Sequence, residues 1–211
     1  MKLGAVILAA GAGTRLGGVA KALLVGKNGR TFLANILTTA REVGLDDAIV
    51  VVGPPFRDQV AAHARALGAY VVVNDEPERG MASSVVVGFS ALAAGSPAHV
   101  GASEQGARGV AMHETCDAAW LWPVDHPDVS AETLRTLISA LMNHDAARPV
   151  YRGRGGHPPL IARSLVARLA TCDKLPGGAR GVLAAADTID VDVEDPGAVR
   201  DIDTPVDLET M

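Results

Sequence analysis

Aromatic residues make up only 3% of this 211-residue chain, so stacked rings cannot fill its interior. Apolar residues reach 48%, and Ala, Val, Leu and Ile must do that work instead. Cysteine is rarer still. Cys116 and Cys172 lie far apart, with no CxxC and no metal-type spacing. That excludes a disulfide scaffold and reads as two free thiols in a reducing compartment. No apolar run reaches membrane-spanning length, and no block of like charge forms a tail. A net charge of −5 argues against bulk nucleic acid as the main partner. The N-terminus runs directly into a strand with no leader pattern ahead of it. The expectation is a cytoplasmic protein with no nucleic-acid or membrane partner. Its fold is one α/β domain over residues 1–211, a doubly wound, mostly parallel sheet of Rossmann-like type.

Two common phosphate motifs are also missing. No GxxxxGK[ST] occurs, and Gly11-Ala-Gly13 is followed three residues later by Leu16, so there is no true GxGxxG either. The loop that carries these glycines is nevertheless built for an anion. Leu3 to Ala9 is an apolar strand that breaks into a loop containing Gly11, Gly13, Gly17 and Gly18, with the cations Arg15 and Lys21. Small residues let backbone N–H groups approach a polyanion, Arg15 offers a planar fork and Lys21 a point charge. A Gly-containing turn after strand one also occurs in α/β proteins that hold no ligand there.

Further along, apolar periodicity predicts a helix over Thr31–Val43 and strands at Ala48–Val52 and Tyr70–Val73, with a helix between them ending at Gly68. The polar loop Asn74–Gly80 follows the third strand, at the edge where open α/β sheets bind ligands. Ser83 and Ser84 open the next helix, Met81–Ala94, where they either meet a base or anion or simply cap it. Residues 95–115 lack periodicity and read as a flexible insert, with His99 and His113 as surface histidines. Strand Ala118–Trp122 places Trp120 and Trp122 on one face as packing residues and ends at Asp125. That carboxylate either ligates Mg²⁺ or caps the next turn, and Ser130 is the better cap for the helix beyond. A strand from Pro149 leads to a basic turn, Arg152 to His157, which embraces a second anionic substrate or is only a solvated hairpin tip. Asp201 and Asp203 flank Ile202 and face opposite ways if extended, so at most one of them joins Asp125.

Taken in order, LAAGAGTRLGG…K, NDEPERGMASSVVVGFSAL, PVDHP, GHPPLI, GGARGVL and DIDTPVDL resemble the motifs of the MobA-like nucleotidyltransferases. The likeness covers almost the whole chain and is closer to the molybdenum cofactor cytidylyltransferase branch. Two departures stand out: Val124 replaces the glycine before the metal Asp, with His126 after it, and the signature serine aligns with Gly13 or Thr14.

The resemblance implies transfer of CMP from CTP to the terminal phosphate of a molybdopterin-type acceptor, with loss of pyrophosphate. It implies backbone from Leu8 to Gly13 around the nucleotide, with Ala9 and Ala10 near the base and Gly11, Thr14 and Asn74 among the contacts. Arg15 and Lys21 would neutralise the β- and γ-phosphates, and Ser84 would touch the base. Asp125 and Asp203 would hold Mg²⁺, and Arg15, Lys21 and Asp125 would be the catalytic groups. Arg152, Arg154, Gly156 and His157 would meet the pterin substrate. A molybdenum hydroxylase apoenzyme or its chaperone would receive the product. Alternatives are a GTP-using guanylyltransferase, a sugar-1-phosphate nucleotidyltransferase and a non-catalytic cofactor-delivery protein.

Overall fold

The computed structural model describes residues 1–94 and 116–210. The predicted insert at 95–115, with His99 and His113, lies outside the described residues. The chain alternates strand and helix: β1 (Leu3–Leu8), α1 (Phe32–Arg41), β2 (Leu45–Val52), α2 (Arg57–Ala66), β3 (Tyr70–Val73) and α3 (Met81–Ala94). Then come β4 (Ala118–Pro123), α4 (Ala131–Leu141), β5 (Ala146–Tyr151), β6 (Arg154–Gly155), β7 (Leu160–Ala162) and α5 (Arg163–Leu169). The described chain finishes with α6 (Gly178–Ala184), β8 (Thr188–Asp192) and α7 (Pro205–Thr210).

The sheet order is β3-β2-β1-β4-β7-β5-β6, with β8 paired to β5. It is mostly parallel, as expected. Only β7, antiparallel to β4 and β5, and β6, antiparallel to β5, run the other way. Because β5 is flanked through β7, it points the same way as β4, and its end reaches the same sheet edge. The switch point falls between β1 and β4. There β1 pairs parallel with both neighbours, and connections leave to opposite sides.

Each β1 side chain is buried, and the period of two divides them. Ala5 and Ile7 face a core with α1, α2 and α4, joined by Trp120 and Trp122 as predicted. Val6 and Leu8 face a second core with α3, α5 and α6. A strand buried on both faces needs the continuous apolar run that β1 carries. Helix α3 lies so close to the sheet that a Cβ on Gly88 would sit 2.3 Å from Val6 Cγ1.

Local signals set the helix ends. Thr31 accepts from Ala34 N (3.1 Å) at the start of α1, and Ser130 accepts from Thr133 N (3.2 Å) at the start of α4. Two strand starts move: β2 begins at Leu45, three residues before the predicted Ala48, and β5 begins at Ala146, three residues before the predicted Pro149. Ala146 and Ala147 are weak strand formers, and their pairing with β7 and β8 decides the matter. Both cysteines are free, as read from their spacing, and the fold buries them. Among the described residues no helix is long and apolar enough to cross a membrane.

Candidate functional site

The carboxyl end of β1 is stitched to both neighbours. Ala9 N–H donates to Val51 O (2.8 Å), and Leu8 O accepts from Val124 N–H (3.1 Å). Beyond this anchor Ala9 and Ala10 remain buried, while Gly11, Thr14 and Arg15 are exposed. Gly13 turns the loop at φ 58°, and a Cβ there would lie 2.0 Å from Val19 O. Only glycine fits, so the hydroxyl that the sequence left between positions 13 and 14 belongs to Thr14. Gly13 O accepts from Leu16 N–H (2.9 Å) and Gly18 N–H (3.0 Å), which closes the loop into a compact turn. Among the described residues, the backbone N–H groups of residues 11–15 have no acceptor within the chain. Such a row of free donors can serve as an anion cradle.

Beside the cradle, the end of β2 is pressed between two neighbours. A Cβ on Gly53 would meet Asn74 O at 2.8 Å and Ala10 Cβ at 3.0 Å. Asn74 is buried, and its amide donates to Ser83 Oγ (2.8 Å) and Ser84 Oγ (2.9 Å). Its Oδ1 accepts from Glu76 N–H (3.1 Å), which shapes the polar loop. Ser83 passes its own proton to Gly80 O (2.8 Å). Neither serine accepts a helix N–H; both are tied to Asn74.

Opposite the cradle stands a centre of alternating charge. Lys21 Nζ donates to Asp125 Oδ2 (3.2 Å) and also to Asp203 Oδ1, and Arg15 donates to Asp203 Oδ2. Ile202 N–H donates to Asp125 O (2.9 Å), so the DID segment is bound alongside the end of β4. That bond turns Asp203 inward, beside Lys21, and leaves Asp201 exposed. Asp207 Oδ2 accepts from Asp203 N–H (3.0 Å) and Thr204 N–H (2.7 Å), fixing the turn behind it. The Lys21 hydrogen bond, followed by the Lys21 and Arg15 charges, holds the Asp203 carboxyl below the usual carboxylate range.

The far side of Asp125 is different in kind. Oδ1 is buried without a hydrogen-bond partner, and His126 Nε2 lies 3.9 Å from it. The His126 ring packs on that of His157, centroids 4.9 Å apart and planes tilted by 43°. Burial, then the His126 charge, pushes His157 down to about 4. His157 N–H donates to Ala198 O (2.7 Å), and a Cβ on Gly156 would come within 2.3 Å of the same carbonyl.

The predicted basic turn therefore divides in two. Gly156 and His157 fold back toward Asp125, while Arg152 and Arg154 stand exposed on the hairpin tip at the same sheet edge. Arg152 lies 5.0 Å above the Tyr151 ring, at φ 50°. No acidic partner meets either arginine among the described residues. His126 was not among the expected site residues. The signal was its position one residue past a strand-end carboxylate.

The model of the MobA-like NTP transferase domain family matches residues 5–189. The comparison with curated proteins gives no match. Among solved structures, Rv0371c from Mycobacterium tuberculosis H37Rv is 25% identical, with 100% of this chain and 97% of that one covered and a TM-score of 0.72. A structure of Rv0371c in complex with manganese is 24% identical, covers all of both chains and has a TM-score of 0.68. Molybdopterin-guanine dinucleotide biosynthesis protein A from Archaeoglobus fulgidus shares the fold at 16% identity, 100% and 96% coverage and a TM-score of 0.63. The Gly loop and the strand-end carboxylate Asp125 fall inside the matched span, and the chain belongs to the MobA-like NTP transferase family.

Proposed function

We propose that the protein transfers CMP from CTP to the terminal phosphate of a molybdopterin-type cofactor, releasing pyrophosphate, with Mg²⁺ as its ion. One observation carries the reading: Arg15 and Lys21 of the Gly loop meet Asp125 and Asp203 at a single sheet edge. Family membership supports nucleotidyl transfer, and the GHP and DIDTP segments support the cytidylyltransferase branch.

Backbone from Leu8 to Gly13, with Gly11 as its most exposed point, cradles the nucleotide. Ala9 and Ala10 pack near the base, and Asn74 holds Ser84 where its hydroxyl contacts that base. Thr14, Arg15 and Lys21 take the β- and γ-phosphates. Arg152, Arg154, Gly156 and His157 receive the acceptor. In-line transfer between phosphates needs charge neutralisation and alignment more than a strong base, because the acceptor oxygen is already ionised.

Asp125 and Asp203 fit a divalent ion. Both present hard oxygens, and the two already share one cationic group, the Lys21 ammonium. Bound between them, the ion would add positive charge at the α-phosphate and orient it. Rv0371c, which is similar in fold, has been solved as a complex with manganese, and this supports a divalent ion here. With nucleotide present, Lys21 turns from the carboxylates to the phosphates.

A thermal-shift screen of the four nucleoside triphosphates with Mg²⁺ tests the reading. CTP is expected to stabilise most and to yield pyrophosphate when the cofactor is added. Stabilisation by GTP alone would overturn the base, and silence toward every nucleotide would overturn the enzyme.

A further inference from the structure

We infer that His126 binds the acceptor, its Nε2–H and that of His157 forming a paired donor for an oxygen of the attacking phosphate, on the face of Asp125 turned away from the nucleotide. This rests on the nucleotidyl-transfer reading and adds His126 to the acceptor side, where that reading already places His157.

Asp125 divides the site. Its Oδ2 takes the Lys21 ammonium at 3.2 Å, on the side of the Gly loop, and its Oδ1 lies 3.9 Å from His126 Nε2. In-line displacement requires the nucleophile to approach opposite the leaving pyrophosphate. The pyrophosphate belongs with Arg15 and Lys21, so the acceptor comes from the imidazole side.

Both rings stand on rigid mounts. His126 N–H donates to Pro123 O (3.2 Å), and its carbonyl accepts from Trp122 Nε1 (2.9 Å). His157 is tied to Ala198 O at 2.7 Å. The two rings pack on each other, centroids 4.9 Å apart.

Packing also assigns their protons. Nδ1 of each ring is buried with no hydrogen-bond partner. An orphaned buried N–H is rarer and costlier than an orphaned acceptor, so Nδ1 carries the lone pair and Nε2 the hydrogen. Each ring then has one nitrogen free to meet a ligand, and that nitrogen is a donor.

The step balances without a base. An oxygen of the acceptor's phosphate dianion forms the new bond to the α-phosphorus. The bond from that phosphorus to the β-bridging oxygen breaks, and its electron pair leaves with pyrophosphate. No proton is transferred, so the two imidazoles hold the nucleophile and take nothing from it.

The test uses the full chain saturated with a non-hydrolysable α,β-methylene CTP and Mg²⁺, titrated with inorganic phosphate as the acceptor probe. Histidine ring ¹H–¹⁵N spectra report on it. Phosphate is expected to move the Nε2 signals of His126 and His157 together. His126→Leu should weaken phosphate binding roughly tenfold to a hundredfold, the range for a hydrogen bond to a charged group. His126→Gln, whose amide reaches the Nε2 position, should restore most of it, and the thermal shift with CTP should stay within twofold in both variants. Ring signals unmoved by phosphate, or phosphate affinity unchanged in His126→Leu, overturn this inference while an intact CTP response leaves the parent reading standing. Loss of the CTP response in the wild-type protein overturns both.

Discussion

Lys21 Nζ donates to Asp125 Oδ2 across 3.2 Å, although 104 residues separate them in the chain. The same ammonium donates to Asp203, so one cationic group holds two carboxylates from distant segments together. Lys21→Met should leave those carboxylates facing each other. All three side chains are partly exposed, so the loss is set at about 2 kcal/mol, between the values for surface and buried pairs. Millimolar Mg²⁺ or Mn²⁺ should recover it. Urea melts with and without the ion check this, and an ion effect equal to that of wild type would count against a shared cation site.

Asp125→Ala should abolish pyrophosphate release, by at least about 100-fold, the scale for losing one electrostatic contact to a transition state. The fold should survive, because Ile202 N–H bonds to the backbone carbonyl of residue 125 and not to its side chain. Circular dichroism and a coupled pyrophosphate assay on the same preparation separate the two effects.

Gly13→Ala meets two obstacles: φ of 58° and a carbonyl 2.0 Å from the new Cβ. The left-handed backbone alone costs an L-residue about 1–2 kcal/mol. The clash must open the turn closed by Gly18, so the cradle should lose its shape. The expected result is a nucleotide KM raised at least about tenfold, which 1.4 kcal/mol already gives. Steady-state kinetics would show it.

Gly88→Ala places a methyl 2.3 Å from Val6 Cγ1 and 2.9 Å from Val51 Cγ2. Higher helix propensity cannot compensate for overpacking of this kind, which typically costs about 1–3 kcal/mol. A lower urea midpoint with an unchanged m-value is expected.

Acid should destabilise the protein in two windows. His157 titrates at 6.5 when unfolded and at about 4 when folded, so between those values the unfolded chain binds more protons. Stability is therefore full above pH 6.5 and falls as pH drops toward 4, by an amount on the order of 3 kcal/mol in total. Burial and His126 cause the shift, while Asp125 and Asp201 oppose it. Asp203 acts lower down: its depressed carboxyl adds stability that is present above its unfolded pKa and is lost as pH falls through the folded one. In melts from pH 7 to 4, His157→Gln should show a flatter slope than the wild type.

The fold was legible because its signals are local. The unbroken apolar runs of β1 and β2, the caps at Thr31 and Ser130, and the glycines closing α1 and α2 act within a few residues. Periodicity also placed both tryptophans on one face. The start of β5 was not legible, since Ala146 and Ala147 become strand only by pairing with β7 and β8.

Within the candidate site, the sequence by itself determined the Gly loop with its two cations and the carboxylate at the end of β4, because a residue's place at a strand end is a one-dimensional fact. It left Asp201 and Asp203 as alternatives, and the basic turn undivided. Tertiary structure decided both. One hydrogen bond from Ile202 to Asp125 turns Asp203 inward, and the close packing of Gly156 on Ala198 sends His157 back toward His126 while Arg152 and Arg154 stay in solvent. A contact between segments some 40 or 80 residues apart has no local signature; only the assembled sheet brings those segments to one edge.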